Sequence, residues 1–150
     1  MRGVVIGAVS AVAVLGVGAA VAVPEAQQWY EGRHEQTSSY ATGSKAKDDR
    51  PSVPRWLPDD ASAVEYAMRT TGGQRLLKAT LPGGRLPGSC TALNRSEAPA
   101  PEIKASWFPS GVATKAHSRC GTYYLALDGH TLYAWQTNED WVKDNSQNNR

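Results

Sequence analysis

The longest regular pattern in the chain is an apolar run. After Met1-Arg2-Gly3, the residues from Val4 to Val23 carry no charge and only one hydroxyl, Ser10, and Pro24 ends the stretch. As a helix rising about 1.5 Å per residue it spans roughly 30 Å, the hydrocarbon thickness of a bilayer. The pattern predicts a segment that enters a membrane or is sent across one. Two readings stay open. Trp29 and Tyr30 follow where interfacial aromatic side chains flank a retained helix, and the run is longer than the apolar stretch of most signal peptides. Against that, Arg2 supplies the positive start and Ala20-Val21-Ala22 the small-residue form of a cleavage site, so secretion after cleavage near Ala22 is the alternative. In the anchored reading, the protein is a single-pass cell-membrane protein held through residues 4–23. Arg2 and the α-amino group place its N-terminus in the cytoplasm and the C-terminal domain outside.

Beyond the run the periodicity changes. Pro24 to Pro54 is polar, holds Ser38, Ser39, Thr42, Gly43 and Ser44, shows little apolar periodicity, and reads as a flexible linker. Two hairpins then stand out. A Gly72-Gly73 turn pairs Met68 with Leu77, Tyr66 with Ala79 and Val64 with Leu81 on one face. The other face, with Glu65, Ala67, Arg69, Leu76, Lys78 and Thr80, is mostly polar and is expected to be wet. An Asp128-Gly129 turn pairs Leu125 with Leu132 and Tyr123 with Ala134, and places Tyr124 opposite Tyr133 and Thr122 opposite Trp135. Both faces of this second hairpin are apolar or aromatic. Either the strands lie centrally under a covering loop or helix, or Tyr124, Tyr133 and Trp135 form an exposed shelf for sugar rings or a partner protein.

Pro58-Asp59-Asp60-Ala61 resembles the first turn of a short helix. Ile103 to Phe108 reads as a short strand ended by Pro109. Trp56 and Trp107 are expected to plug the core, and residues 143–150 to form a disordered tail. The expected architecture is therefore a transmembrane helix or signal peptide (1–23), a linker (24–54), a small mainly-β domain, α+β being possible (55–142), and the tail.

Charge adds little. The net charge is +2, with no clustered basic stripe, which excludes a nucleic-acid footprint. The cysteines add more. Cys90 and Cys120 are the two cysteines of the chain, and an even count in an exported domain reads as one disulfide. A metal site from Cys90, His117, Cys120 and His130, free thiols in the opposite topology, and a catalytic Cys90 with His117 as base are the alternatives. The first lacks the usual paired spacing around Cys90. No phosphate-binding glycine loop and no acyl-transfer serine motif is present, and Asp59-Asp60 read as a cap rather than an acid–base pair. No catalytic residue, metal ligand or cofactor is expected.

Trp56-Leu57-Pro58, Thr70-Thr71-Gly72, Leu86-Pro87 followed by Cys90, Trp107-Phe108-Pro109, Cys120-Gly121, and Asp128-Gly129 before Tyr133-Ala134-Trp135 together resemble a group of exported or membrane-anchored small-domain proteins of actinobacteria. The resemblance covers roughly Arg55 to Gln136 and the leader. It implies the disulfide and an N-terminal membrane helix, and carries no activity with it. The expected function is a non-enzymatic binding or interaction module of the cell envelope, whose partner is an envelope protein or a glycan. The alternative is a small hydrolase using His117 or His130 with Asp128.

Overall fold

The structure is a computed structural model that describes residues 34–94 and 97–150. The apolar run of residues 4–23, and with it the expected membrane segment, lies outside the described residues. Among those described, no helix is long and apolar enough to cross a membrane. The strands are β1 (Glu35–Thr42), β2 (Ser62–Arg69), β3 (Arg75–Thr80), β4 (Thr91–Ala92), β5 (Ser118–Cys120), β6 (Tyr123–Asp128) and β7 (Thr131–Gln136). Helix α1 (Gly43–Asp49) follows β1, and helix α2 (Asn138–Asn148) ends the chain. The strands form one antiparallel seven-stranded sheet in the order β1-β2-β3-β7-β6-β5-β4.

Both faces of the sheet are covered. On one, Val64, Tyr66, Leu77, Ala79, Leu125, Leu132 and Ala134 pack under Ala46, Val53, Leu57 and Ala61 from residues 43–61. On the other, Ala67, Leu76, Tyr124, Ala126 and Trp135 pack under Ile103, Val112 and Ala116 from residues 97–117. Burial on both sides explains why β6 and β7 read as nearly continuous apolar strands rather than strict alternation.

The disulfide joins Cys90 and Cys120. Thr91 pairs with Arg119, which sets Cys90 across the ladder from Cys120 and pins the two-residue edge strand β4. The cysteines are therefore neither free nor available as metal ligands.

Several expectations need correction. Residues 35–54 are not a linker: Glu35 to Thr42 pair in register with Arg69 to Ser62, and Ala46 and Val53 are buried. β1 was hidden because, as an edge strand, it needs few apolar side chains. Its polar ones are held instead by the Arg50 guanidinium, which donates to Gln36 Oε1 and Ser38 Oγ. Residues 143–150 are not a frayed tail, since α2 continues to Asn148, with Thr137 as its N-cap. Pro58–Ala61 forms a turn closed by Ala61 N–H donating to the Pro58 carbonyl, not a helix. Ile103 to Phe108 forms no strand.

Both hairpins keep the expected faces and shift register by two residues. In the first, Tyr66 faces Leu77 and Met68 faces Arg75. The turn is wider than Gly72-Gly73 because the buried Arg75 guanidinium fills it, donating through Nη1 to the carbonyls of Arg69, Gly72 and Gln74. Its second face is not wet, since Ala67 and Leu76 are buried there. In the second, Asp128 pairs with Thr131, so Gly129-His130 is the turn. Gly129 has φ 60°, the left-handed value that a type II′ turn requires at its first central position.

Candidate binding groove

Residues 97–117 leave the sheet edge after β4, cross the aromatic face of β6 and β7, and return to start β5. Their course is set by specific anchors. The Trp135 indole N–H donates to the Pro99 carbonyl at 2.9 Å, and the Asn138 N–H at the start of α2 donates to Glu102 Oε2 at 2.9 Å. Phe108 then stands edge-on to Tyr133 (centroids 5.6 Å apart), Trp135 (6.2 Å) and Trp107 (6.0 Å). Edge-to-face contacts of this kind favour a fixed ring over a loosely packed one. A 3-10 turn at Val112–Lys115 and the buried Ala116 close the segment.

This placement overturns the exposed aromatic shelf. Trp135 is 0 % and Tyr124 5 % exposed, so neither can meet a sugar ring or a partner, and only Tyr133 stays half-exposed. Tyr124 serves instead to dock α2. Its hydroxyl donates to Asp140 Oδ2 at 2.6 Å, Thr137 Oγ1 donates to the same oxygen at 2.8 Å, and Arg119 Nη2 pairs with Oδ1 at 3.0 Å. The Arg119 guanidinium also lies 4.9 Å from the Tyr124 ring centre. Burial, reinforced by the bond to Asp140, pushes the Tyr124 hydroxyl up to about 12. Burial alone would raise the Asp140 carboxyl, but the hydrogen bonds from Tyr124 and Thr137 and the charge of Arg119 outweigh it and hold it below the usual range.

The outer surface of the covering segment is hollowed by a groove of roughly 330 Å³. Pro101, Ile103, Phe108 and Pro109 supply apolar lining, while Lys104 and Ser110 are its polar side chains. A smaller recess of roughly 90 Å³ shares Pro109 and reaches Tyr133, Lys115 and Asp128. The groove lies where the sequence pattern predicts a strand from Ile103 to Phe108, and alternation does not reveal it. Its signal was an apolar pair, Trp107-Phe108, held between Pro101 and Pro109 in a stretch without strand alternation.

The groups of the alternative hydrolase reading form no hydrogen-bonded set among the described residues. His117 is engaged at both ring nitrogens: Nε2 accepts the Leu127 N–H at 3.1 Å, and Nδ1 lies 2.9 Å from Ser118 Oγ. His130 Nδ1 bonds the Leu81 carbonyl at 2.9 Å, just past the end of β3. Asp128 is exposed, and no hydrogen bond among the described residues joins it to either histidine. Among the described residues no group of three or more His, Cys, Asp or Glu is placed to hold a metal ion. No family model, no curated protein and no solved structure matches the chain.

Proposed function

We propose that this protein is a non-enzymatic binding module of the cell envelope, and that the groove over Phe108 receives an extended segment of another envelope protein. The observation that carries the reading is the groove's chemistry: apolar walls sized for one or two side chains, with a lysine as its single charge. A sugar presents many hydroxyls and would need a matching set of polar groups, which Lys104 and Ser110 do not supply. A hydrolytic site would need an acid–base pair facing the cavity, whereas the ring nitrogens of His117 are held by Ser118 and Leu127. Lys104 has no acidic partner among the described residues. The favoured occupant is therefore an apolar side chain flanked by a carboxylate.

The apolar run of residues 4–23 supports presentation of this module outside the membrane, as an anchored or secreted domain, and a disulfide fits an oxidising compartment. The same features suit the resemblance to exported actinobacterial proteins. Two measurements test the reading. Intact mass in membrane and medium fractions, with alkylation before and after reduction, should find thiols that react only after reduction. Freely reactive thiols would overturn the location. A photo-cross-linking side chain at Ser110 in producing cells should give a defined adduct that Lys104→Glu abolishes. The same side chain at the exposed Ser89 should give none. Equal labelling at both positions, or adducts indifferent to Lys104→Glu, would overturn the groove as the docking site.

A further inference from the structure

The thioether of Met68 stands where three parts of the chain meet. Met68 lies on β2, half-buried, opposite Gln36 of β1 and Arg75 of β3. It packs against the core cluster that Val64, Tyr66 and Leu77 help to form. Its sulfur meets two donors from the covering segment, Arg50 Nη1 at 3.5 Å and Ser52 Oγ at 3.7 Å. The same Arg50 nitrogen donates to Gln36 Oε1 at 2.8 Å, and Nη2 donates to Ser38 Oγ at 3.1 Å. Ser52 Oγ accepts from the Tyr66 hydroxyl at 3.1 Å, which leaves its own proton to point at the sulfur. Gln36 is exposed, and Arg50 and Ser52 are half-exposed, so the donor side of the thioether borders solvent.

A thioether is a weak acceptor, so a guanidinium and a hydroxyl aimed at one are under-used. Oxidation changes the match. A sulfoxide oxygen carries partial negative charge and accepts strongly, and a hydrogen bond from a charged donor is about twice as strong as a neutral one. We propose that Met68 is an oxidation site, at which hydrogen peroxide converts the thioether to a sulfoxide held by Arg50 and Ser52. A sulfur lone pair attacks one peroxide oxygen, and the O–O bond breaks as the S–O bond forms. The second oxygen leaves as hydroxide and takes the proton of the first to become water. Sulfur thus gives up two electrons and the peroxide is reduced. The Arg50 N–H groups also stabilise the charge that develops on the transferred oxygen. Because both donors come from one segment, they favour the sulfoxide epimer whose oxygen points toward them. The new acceptor competes with Gln36 Oε1 for Arg50 Nη1, so the modification is felt at β1.

Hydrogen peroxide added to the full chain tests this, because Met1 and Met68 are its only methionines and fall in separate peptides on digestion. The Met68 peptide from the folded chain should gain one oxygen. Reductases specific for each epimer should then find one sulfoxide in about tenfold excess, roughly what one charge-assisted hydrogen bond supplies. The chain oxidised while unfolded in urea should give both epimers nearly equally. Near-equal epimers from the folded chain, or a Met68 that oxidises only after unfolding, would overturn the proposal. Arg50→Gln removes the charged donor and should bring the folded ratio toward one, and an unchanged ratio would overturn it. The wild-type ratio does not depend on that variant folding. Amide exchange in β1 should quicken on oxidation while β3 keeps its protection. Equal exchange in β1 before and after would mean that Arg50 does not turn to the sulfoxide, which also overturns the proposal.

Discussion

At the scale of single residues, two positions show local chemistry set against the general pattern. Ala63 has φ 48°, in the left-handed region that residues with a Cβ seldom adopt. It sits where the β2–β3 register shifts between Ser62 and Glu65, so the strain follows from the extra residue that the bulge inserts. A β-branched side chain fits that region worst. Ala63→Val should lower stability by about 1–2 kcal/mol, while Ala63→Gly should be neutral or mildly stabilising, read from denaturant midpoints at equal slope. The second position is the Tyr124–Asp140 pair. The folded-state value of Tyr124 is raised to about 12, so the stability it adds is fully present below pH 10 and is lost as pH climbs toward 12. Asp140 is lowered, so its contribution is present above the usual carboxylate range and disappears as pH falls through its folded value. Tyr66 and Tyr123, raised by burial, act with the same sign as Tyr124 at high pH. The informative quantity is thus the difference between wild type and Tyr124→Phe, whose alkaline loss should be smaller. Asp140→Asn should flatten the acid limb, and a variant with unchanged limbs would remove the pair from the account.

At the scale of elements, the edges of the sheet need the most explanation. β4 has only two residues, and its attachment depends on the disulfide that sets Cys90 beside Cys120. Closing that loop removes about 3.7 kcal/mol of unfolded-state freedom on the chain-entropy view. Reduction should therefore lower stability by up to about that amount, and amide exchange at β4 and β5 should quicken before that at β2 and β3. Uniform loss across all strands would mean that the bond acts on the unfolded chain alone. The other end of the fold depends on close approach. A Cβ added at Gly73 would lie 2.2 Å from Trp141 Cβ, and the Gly73 N–H donates to Asn138 Oδ1 at 2.9 Å. Gly73→Ala should push α2 off the first hairpin and expose Trp141 further, seen as a change in helix content and tryptophan emission. Much of this was legible in sequence. The two hairpins, their faces and the disulfide follow from alternation, turn residues and cysteine count. β1 was not, because Glu35 to Thr42 is polar and borrows order from β2 and Arg50. α2 was not, because its sequence has no buried residue and is held by capping and by Asp140. Register in the first hairpin departs from the glycine-turn expectation because Arg75, at the start of β3, fills the turn with its guanidinium.

At the scale of the whole molecule, the sheet is a layer between two covers, one carrying α1 and the other largely irregular, and the candidate site is a surface feature of the second. That cover has little regular hydrogen bonding of its own. Its shape comes from Phe108 wedged among Trp107, Tyr133 and Trp135, and from the bonds at Pro99 and Glu102. The groove and the second core are therefore one structure: the same ring that lines the groove seals Trp135 from water. Phe108→Ala removes that ring at a half-buried position and should destabilise by about 2–3 kcal/mol, below the range for a fully buried phenylalanine. Its effect should be unequal. Trp135 emission should shift to the red and amide exchange should quicken across residues 97–117, while Ala46, Val53 and Leu57, which pack on the opposite face, keep their protection. Cross-linking from Ser110 should be lost in the same variant although the sheet remains folded. If exchange instead quickens equally in both covers, the two faces share one cooperative core, and the groove cannot change shape without unfolding the domain.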